Sequence, residues 1–272
     1  MYSQIVVPLD GGRFSQRAIA PAVRMADASD ADILLVAYAH TEADCRWLED
    51  KLAEVAAELA AAVGPRTVRT KVEVARDVAA AIVAEVDAEP GSLVCMSSAG
   101  RPRSEPILGS VAESVLRDVS TPVLLVGPSV DVDRFRLAGT MEVAIDESWP
   151  SDAILPIAAS WSIVFHLALR VVTVMPATTK DTGTDEVPME SAHLTHIAHK
   201  LQADVDKPVD FDVLHGDAAR CIIDDAERNA NLVAISTHGR TGLRRVAAGS
   251  VAMAVVHGST RPVLVYRPVQ FR

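Results

Sequence analysis

Gly249 and Ser250 open a stretch of helical character at the end of a loop rich in glycine and arginine, THGRTGLRRVAAGS, and that loop follows a short apolar run from Leu232 to Ser236. A strand, a glycine-bearing loop and a helix start, in that order, hold an anion well. Glycine lets backbone approach a ligand, and the N–H groups of a first helical turn carry the positive end of the helix. Phosphate is the anion that suits the pattern. Arg240, Arg244 and Arg245 stand in the loop and would offset phosphate charge, although arginines on exposed loops are more often simply solvated.

The same stretch occurs earlier, from Leu93 to Pro128. Gly100 pairs with Gly239, Gly109-Ser110 with Gly249-Ser250 and Pro122 with Pro262, at offsets of 139 or 140 residues. The chain is therefore an internal duplication. The first loop has eight residues between its glycines against nine in the second, and it carries Pro102, Glu105 and Pro106. Each proline stiffens the backbone and removes an N–H donor. The expectation is that the second copy holds a ligand and the first is weak or empty.

Both copies resemble the universal stress protein family, whose nucleotide loop reads glycine, two residues, glycine, nine residues, glycine, then serine or threonine. Gly239, Gly249 and Ser250 match; Ser236 and Ser97 stand where the first glycine would be. The resemblance covers nearly the whole chain. It implies an α/β fold of two tandem doubly wound five-stranded parallel sheets, strand order 3-2-1-4-5, flanked by helices. It implies an adenine nucleotide, ATP with or without Mg, at Asp146, Val174, Ser236, Gly239, Gly249, Ser250 and Val251. The matching positions of the first copy are Pro8, Asp10, Ala39, Ser97, Gly100, Gly109, Ser110 and Val111. In this reading Asp10 and Asp146, at the ends of their first strands, accept from ribose hydroxyls or an adenine amino group. Aspartate is also common there merely to hold a turn. The function implied is regulatory, nucleotide occupancy altering conformation or partner choice during stress. The alternatives are a slow ATP hydrolase and an interaction scaffold with both loops empty.

The elements that must position these residues alternate. In the first copy the strand patterns are Ile5 to Leu9, Ile33 to Ala39, Thr67 to Ala75, Leu93 to Ser97 and Val123 to Val126, with helical patterns Ser15 to Ala26, Glu42 to Val63, Asp77 to Ala88 and Ser110 to Asp118 between them. Near-continuous apolar strands in such an order mean a parallel sheet covered on both faces. The second copy repeats the order from Met141. Residues 127–140 read as a polar linker between domains at 1–128 and 139–272, and residues 178–187, TTKDTGTDEV, as a mobile loop. Right-handed crossovers place ligands at the carboxyl ends of strands where the strand order reverses. Asp10 then shares a crevice with the loop after Ser97, and Asp146 with the loop after Ser236. The last strands, Val123 to Val126 and Val263 to Tyr266, are apolar runs at a sheet edge, and their mutual pairing as a pseudo-twofold domain pair would cover both. A homodimer is compatible with the same logic.

Composition narrows the partners. The net charge is -10, with 26 basic and 36 acidic residues, and neither half is basic, which disfavours nucleic acid. Three cysteines without a CxxC pair read as reduced thiols of a cytoplasmic protein, and no apolar run approaches membrane-spanning length. His193, His196 and His199 recur every third residue, about 60° apart around a helix, with no complementing ligands, and read as a solvated face. Ser236, His238 and Asp146 lack the nucleophile-elbow context of a hydrolase triad. P-loop and Rossmann glycine signatures are absent too. The chain reads as a binder more than a catalyst.

Overall fold

The structure, a computed structural model, describes residues 2–61, 66–98, 108–177, 189–237 and 249–268, with backbone alone for 189–192. In the first half β1 is Gln4–Pro8, α1 Ile19–Ser29 after a single 3-10 turn, β2 Asp32–Ala39, α2 Glu42–Ala60 and β3 Val68–Val74. Then come α3 Val78–Ala88, β4 Ser92–Ser97, α4 Ser110–Asp118 and β5 Val123–Val126. The second half has β6 Thr140–Ala144, a short α5 Trp149–Asp152, α6 Leu155–Phe165, β7 Ala168–Met175 and α7 Met189–Asp204. It ends with β8 Val209–His215, α8 Ala218–Asn229, β9 Leu232–Ser236, α9 Ser250–Gly258 and β10 Val263–Tyr266. The stretch 178–187, expected to be a mobile loop, lies outside the described residues.

The duplication extends to local chemistry. Asp77 and Asp217 cap α3 and α8 alike, each carboxylate accepting an N–H three residues on, from Ala80 and Arg220, at 3.0 Å. Such a cap satisfies one of the donors a helix start leaves over. The helices α1 and α6 both close on a left-handed residue that is not glycine, Asp30 at φ 56° and His166 at φ 54°.

All ten strands form one sheet, ordered β3-β2-β1-β4-β5 in the first half and β10-β9-β6-β7-β8 in the second. Strands within each half run parallel, while β5 and β10 join the halves antiparallel. Leu124 pairs with Leu264, flanked by Val123 with Val265 and Leu125 with Val263. Since Leu124 and Leu264 are also repeat equivalents, a pseudo-twofold axis passes between them. Both are fully buried, so two apolar edges that would invite aggregation have become sheet interior.

Successive strand residues face opposite layers. Ile5 and Val7 point to the side covered by α1, α2, α6 and α7; Val6 points to the side covered by α3, α4, α8 and α9. A further contact ties the halves. The Trp161 indole N–H of α6 donates to the Tyr2 hydroxyl at 2.9 Å, and burial pushes that phenol up to about 12. The segment after β5, expected as a polar linker, is anchored. Val130 and Phe135 are buried in it, and Arg17 of the first half donates to the carbonyls of Pro128, at 3.2 Å, and Val130.

Candidate functional site

At the carboxyl ends of the strands, where the order reverses, each half forms a crevice. The first, about 540 Å³, is lined by Pro8, Asp10, Ser97, Gly109, Ser110 and Val111 among others. The second, about 240 Å³, is lined by Asp146, Val174, Ser236, Gly249, Ser250 and Val251. The copy read from sequence as the weaker binder has the roomier crevice, within the range of roughly 300–1,000 Å³ usual for small-molecule sites.

One end of each crevice is a helix start without a side-chain cap from its entry residue. Six described helices are entered from an extended residue. Four of these residues, Thr41, Asp77, Ser148 and Asp217, accept a backbone N–H through their own side chain. The other two are Gly109 before α4 and Gly249 before α9, which have no side chain to do so. The residues that follow them, Ser110 to Ala112 and Ser250 to Ala252, line the crevices, where an anion would take the place of the missing cap.

At Gly249 closeness requires a glycine. Both entry glycines are extended with negative φ, -62° and -63°. The Gly249 N–H donates to the Thr237 carbonyl at 2.5 Å, as Gly109 does to Ser98 at 2.8 Å, and a Cβ on Gly249 would run into that Thr237 oxygen. Backbone thereby lies against backbone at the crevice floor.

The other end is an aspartate whose turn is self-made. Asp10 Oδ1 accepts from the Gly12 N–H at 2.8 Å and the Ser15 hydroxyl at 2.6 Å. Asp146 Oδ1 accepts from the Ser148 N–H at 3.1 Å and the Ser148 hydroxyl at 2.5 Å. Turn-holding and crevice-lining are thus both true of these residues, and the local bonds fix where each carboxylate stands. The position after the aspartate has positive φ in both copies, Gly11 at 76° and Glu147 at 62°. Beside the second crevice Asp152 is raised above the ordinary carboxylate range, chiefly by burial.

The structure brings together most residues expected from sequence and corrects one. Ala39 is buried in the core on the opposite face of β2, while Tyr38 lines the first crevice with its hydroxyl donating to the Ala81 carbonyl at 3.2 Å. Val7 pairs with Leu35 and Val143 with Val171, so Tyr38, not Ala39, is the counterpart of Val174. A slip of one residue in a strand exchanges faces. Gly100, Gly239, His238 and the loop residues Arg240, Arg244 and Arg245 lie outside the described residues. Sequence reasoning missed Ser15, Ser98, Ser151 and Thr237, which line the crevices. The repeat itself could have found the first and third, since Ser15 and Ser151 stand five residues beyond each aspartate and their hydroxyls alike accept the aspartate's N–H. Ser236 is turned to structure, its hydroxyl donating to the Pro150 carbonyl at 2.7 Å. Among the described residues no group of three or more histidine, cysteine or acidic side chains is placed to hold a metal, and no helix is long and apolar enough to cross a membrane.

Similarity to known proteins agrees with this fold. The model of the universal stress protein family matches the chain twice, over residues 1–127 and 140–267. A universal stress protein of Synechocystis sp. is 27% identical over 161 residues, 59% of this chain; the match spans about half of that curated relative, 52%. A solved universal stress protein from Archaeoglobus fulgidus superposes with TM-score 0.72 at 19% identity, over 97% of this chain and 98% of its own. A putative universal stress protein from Pseudomonas aeruginosa gives TM-score 0.65 at 20% identity, over 99% and 95%.

Proposed function

The chain belongs to the universal stress protein family, and from that premise we propose that it binds an adenine nucleotide in each crevice, phosphates at the starts of α4 and α9 and nucleoside toward Asp10 and Asp146. The observation that carries this reading is the pair of uncapped helix starts at Gly109 and Gly249, each sharing a crevice with a strand-end aspartate. A polyanion satisfies donors that the other four described helices entered from an extended residue satisfy with a capping side chain, and the aspartates favour a ligand with hydroxyl or amino donors at the other end.

ATP fits both requirements. Mg, where present, would be held mainly by the phosphates, because the described side chains offer no ligand cluster. The function proposed is regulatory: occupancy biases the conformation the chain presents to partners during stress. Native mass spectrometry of freshly purified protein, with calorimetric titration of ATP, tests it. Two nucleotides per chain are expected; one would restore the asymmetry read from the loops. No binding at millimolar ATP would leave the scaffold reading.

A further inference from the structure

We infer that the two crevices are mechanically coupled, because each helix that opens at one crevice is held at its far end by the other half of the chain. At the end of α4 the Arg117 carbonyl accepts from the Arg267 guanidinium at 3.3 Å, and Arg267 follows β10. At the end of α9 the His257 carbonyl accepts from the Ser129 hydroxyl at 3.2 Å, and Ser129 follows β5. Beside it Gly127 lies so close to the Val256 carbonyl that a Cβ would overlap the oxygen.

These contacts close a circuit. The Tyr266 carbonyl, next to Arg267, accepts from the Thr237 N–H at 2.9 Å, and Thr237 accepts from Gly249 at the second crevice. The Val126 carbonyl, next to Gly127, accepts from the Ser98 N–H at 3.0 Å, and Ser98 accepts from Gly109 at the first crevice. From the start of α4 the path runs along the helix to Arg117, across to Arg267, and through Tyr266 and Thr237 to the start of α9. Its mirror image returns. A helix is a stiff rod, and hydrogen-bonded rods against packed backbone transmit displacement because there is no slack to absorb it. A ligand that seats one helix start therefore biases the other. The inference rests on the nucleotide reading for the identity of the ligand alone.

Hydrogen exchange on the ligand-free full-length chain tests the circuit. Arg267→Ala should speed exchange of the Gly109 and Glu113 amides, in the other half of the chain, by about fivefold, the lower end of usual couplings between sites, while α3 amides stay unchanged. Ser129→Ala should do the same to Gly249 and Met253 while α8 stays unchanged. Should Arg267→Ala unfold the protein as a whole, Arg267→Lys, which keeps a buried cation, and Ser129→Ala decide the matter. Changes confined to the far helix ends overturn the coupling. A parallel run of the unsubstituted chain with ATP separates the two readings. ATP protecting Gly249 without any response across the halves in the variants sinks the coupling and keeps the nucleotide. A response across the halves with no protection by ATP keeps the coupling and sinks the nucleotide.

Discussion

The carboxyl of Glu142, in the middle of β6 and fully buried, faces the carboxyl of Asp225 on α8, and no described N–H or O–H donor reaches either Glu142 oxygen. Two carboxyls bond only when one is protonated. Arg170 of β7 decides which: its guanidinium donates to Asp225 at 2.7 Å and 3.2 Å, and also to Asp210 and Asp212 at 2.7 Å. Burial raises Asp225, but the bonds from Arg170, Glu142 and Asn229 outweigh it and hold Asp225 below its ordinary value. Burial and the neighbouring Asp225 push Glu142 up to about 9. Glu142 keeps the proton and Asp225 the charge.

Stability should therefore fall on both sides of neutrality. Glu142, with a raised folded value, contributes stability that is present below the ordinary carboxyl range and is lost as pH climbs through about 9, by at most roughly 1.4 kcal/mol per unit. Asp225, with a lowered value, contributes stability present above the ordinary range and lost as pH drops through its folded value. Urea midpoints measured from acid to pH 10 check both limbs. Glu142→Gln, an amide that donates without titrating, should flatten the alkaline limb alone; an unchanged limb would remove Glu142 as its source.

Arg170→Met should cost about 3–5 kcal/mol, because it strands the buried Asp225 charge. Adding Asp225→Leu should recover most of that loss, because it removes the stranded charge, and Val6 and Leu34 already fill with apolar side chains the positions that Glu142 and Arg170 take in the second half. Denaturant melts of the single and double variants measure the recovery.

Much of the fold was legible because the same alternation of apolar runs and helical patterns occurs twice, and Gly109, Gly249 and the strand-end aspartates fell together as their order demanded. What stayed hidden depended on register and environment. Pairing Ala39 with Val174 slips β2 by one residue, and periodicity in an apolar strand buried on both faces cannot reveal the slip. Glu142 and Arg170 looked like interruptions in apolar runs, because a charge buried with partners is a property of three strands and a helix together. The anchoring of 127–139 escaped for a similar reason: Val130 and Phe135 are two apolar residues in polar company, and only the packed structure shows them buried. The glycine of the second helix start was expected to serve close approach, and with φ at -63° and a Cβ barred by the Thr237 carbonyl, close approach is its role.

Leu124 and Leu264 form one site because they are partners across the pseudo-twofold. Each change to alanine should cost about 2–5 kcal/mol by leaving a cavity in a packed interior. The double variant should cost measurably less than the sum, as contacting residues share the loss. Strict additivity in urea denaturation would mean that the halves do not meet there in solution.

The phosphate end of the second crevice is tested by comparing Ser250→Ala, Gly249→Val and Asp146→Ala. Ser250 is exposed at the first position of α9, so its hydroxyl should matter little to folding, and the alanine variant should melt within about 0.5 kcal/mol of the parent. Its ATP affinity should nevertheless drop about tenfold to hundredfold, the loss of one hydrogen bond to a charged group, roughly 1.5–3 kcal/mol. Gly249→Val should lose more, since any Cβ there meets the Thr237 carbonyl and must shift the start of α9 that presents the donors. It should also melt earlier, so its affinity is interpretable only where a native transition persists. Asp146→Ala should weaken binding and reduce discrimination between ribose-containing ligands and inorganic triphosphate, because Asp146 is assigned to the nucleoside end. Since Asp146 also accepts from Ser148 at the turn, Asp146→Asn, which keeps an acceptor there, separates the two roles. An Asn variant that restores the melt without restoring selectivity is the expected result. Unchanged affinity in Ser250→Ala and in a folded Gly249→Val protein would take the α9 helix start out of the site.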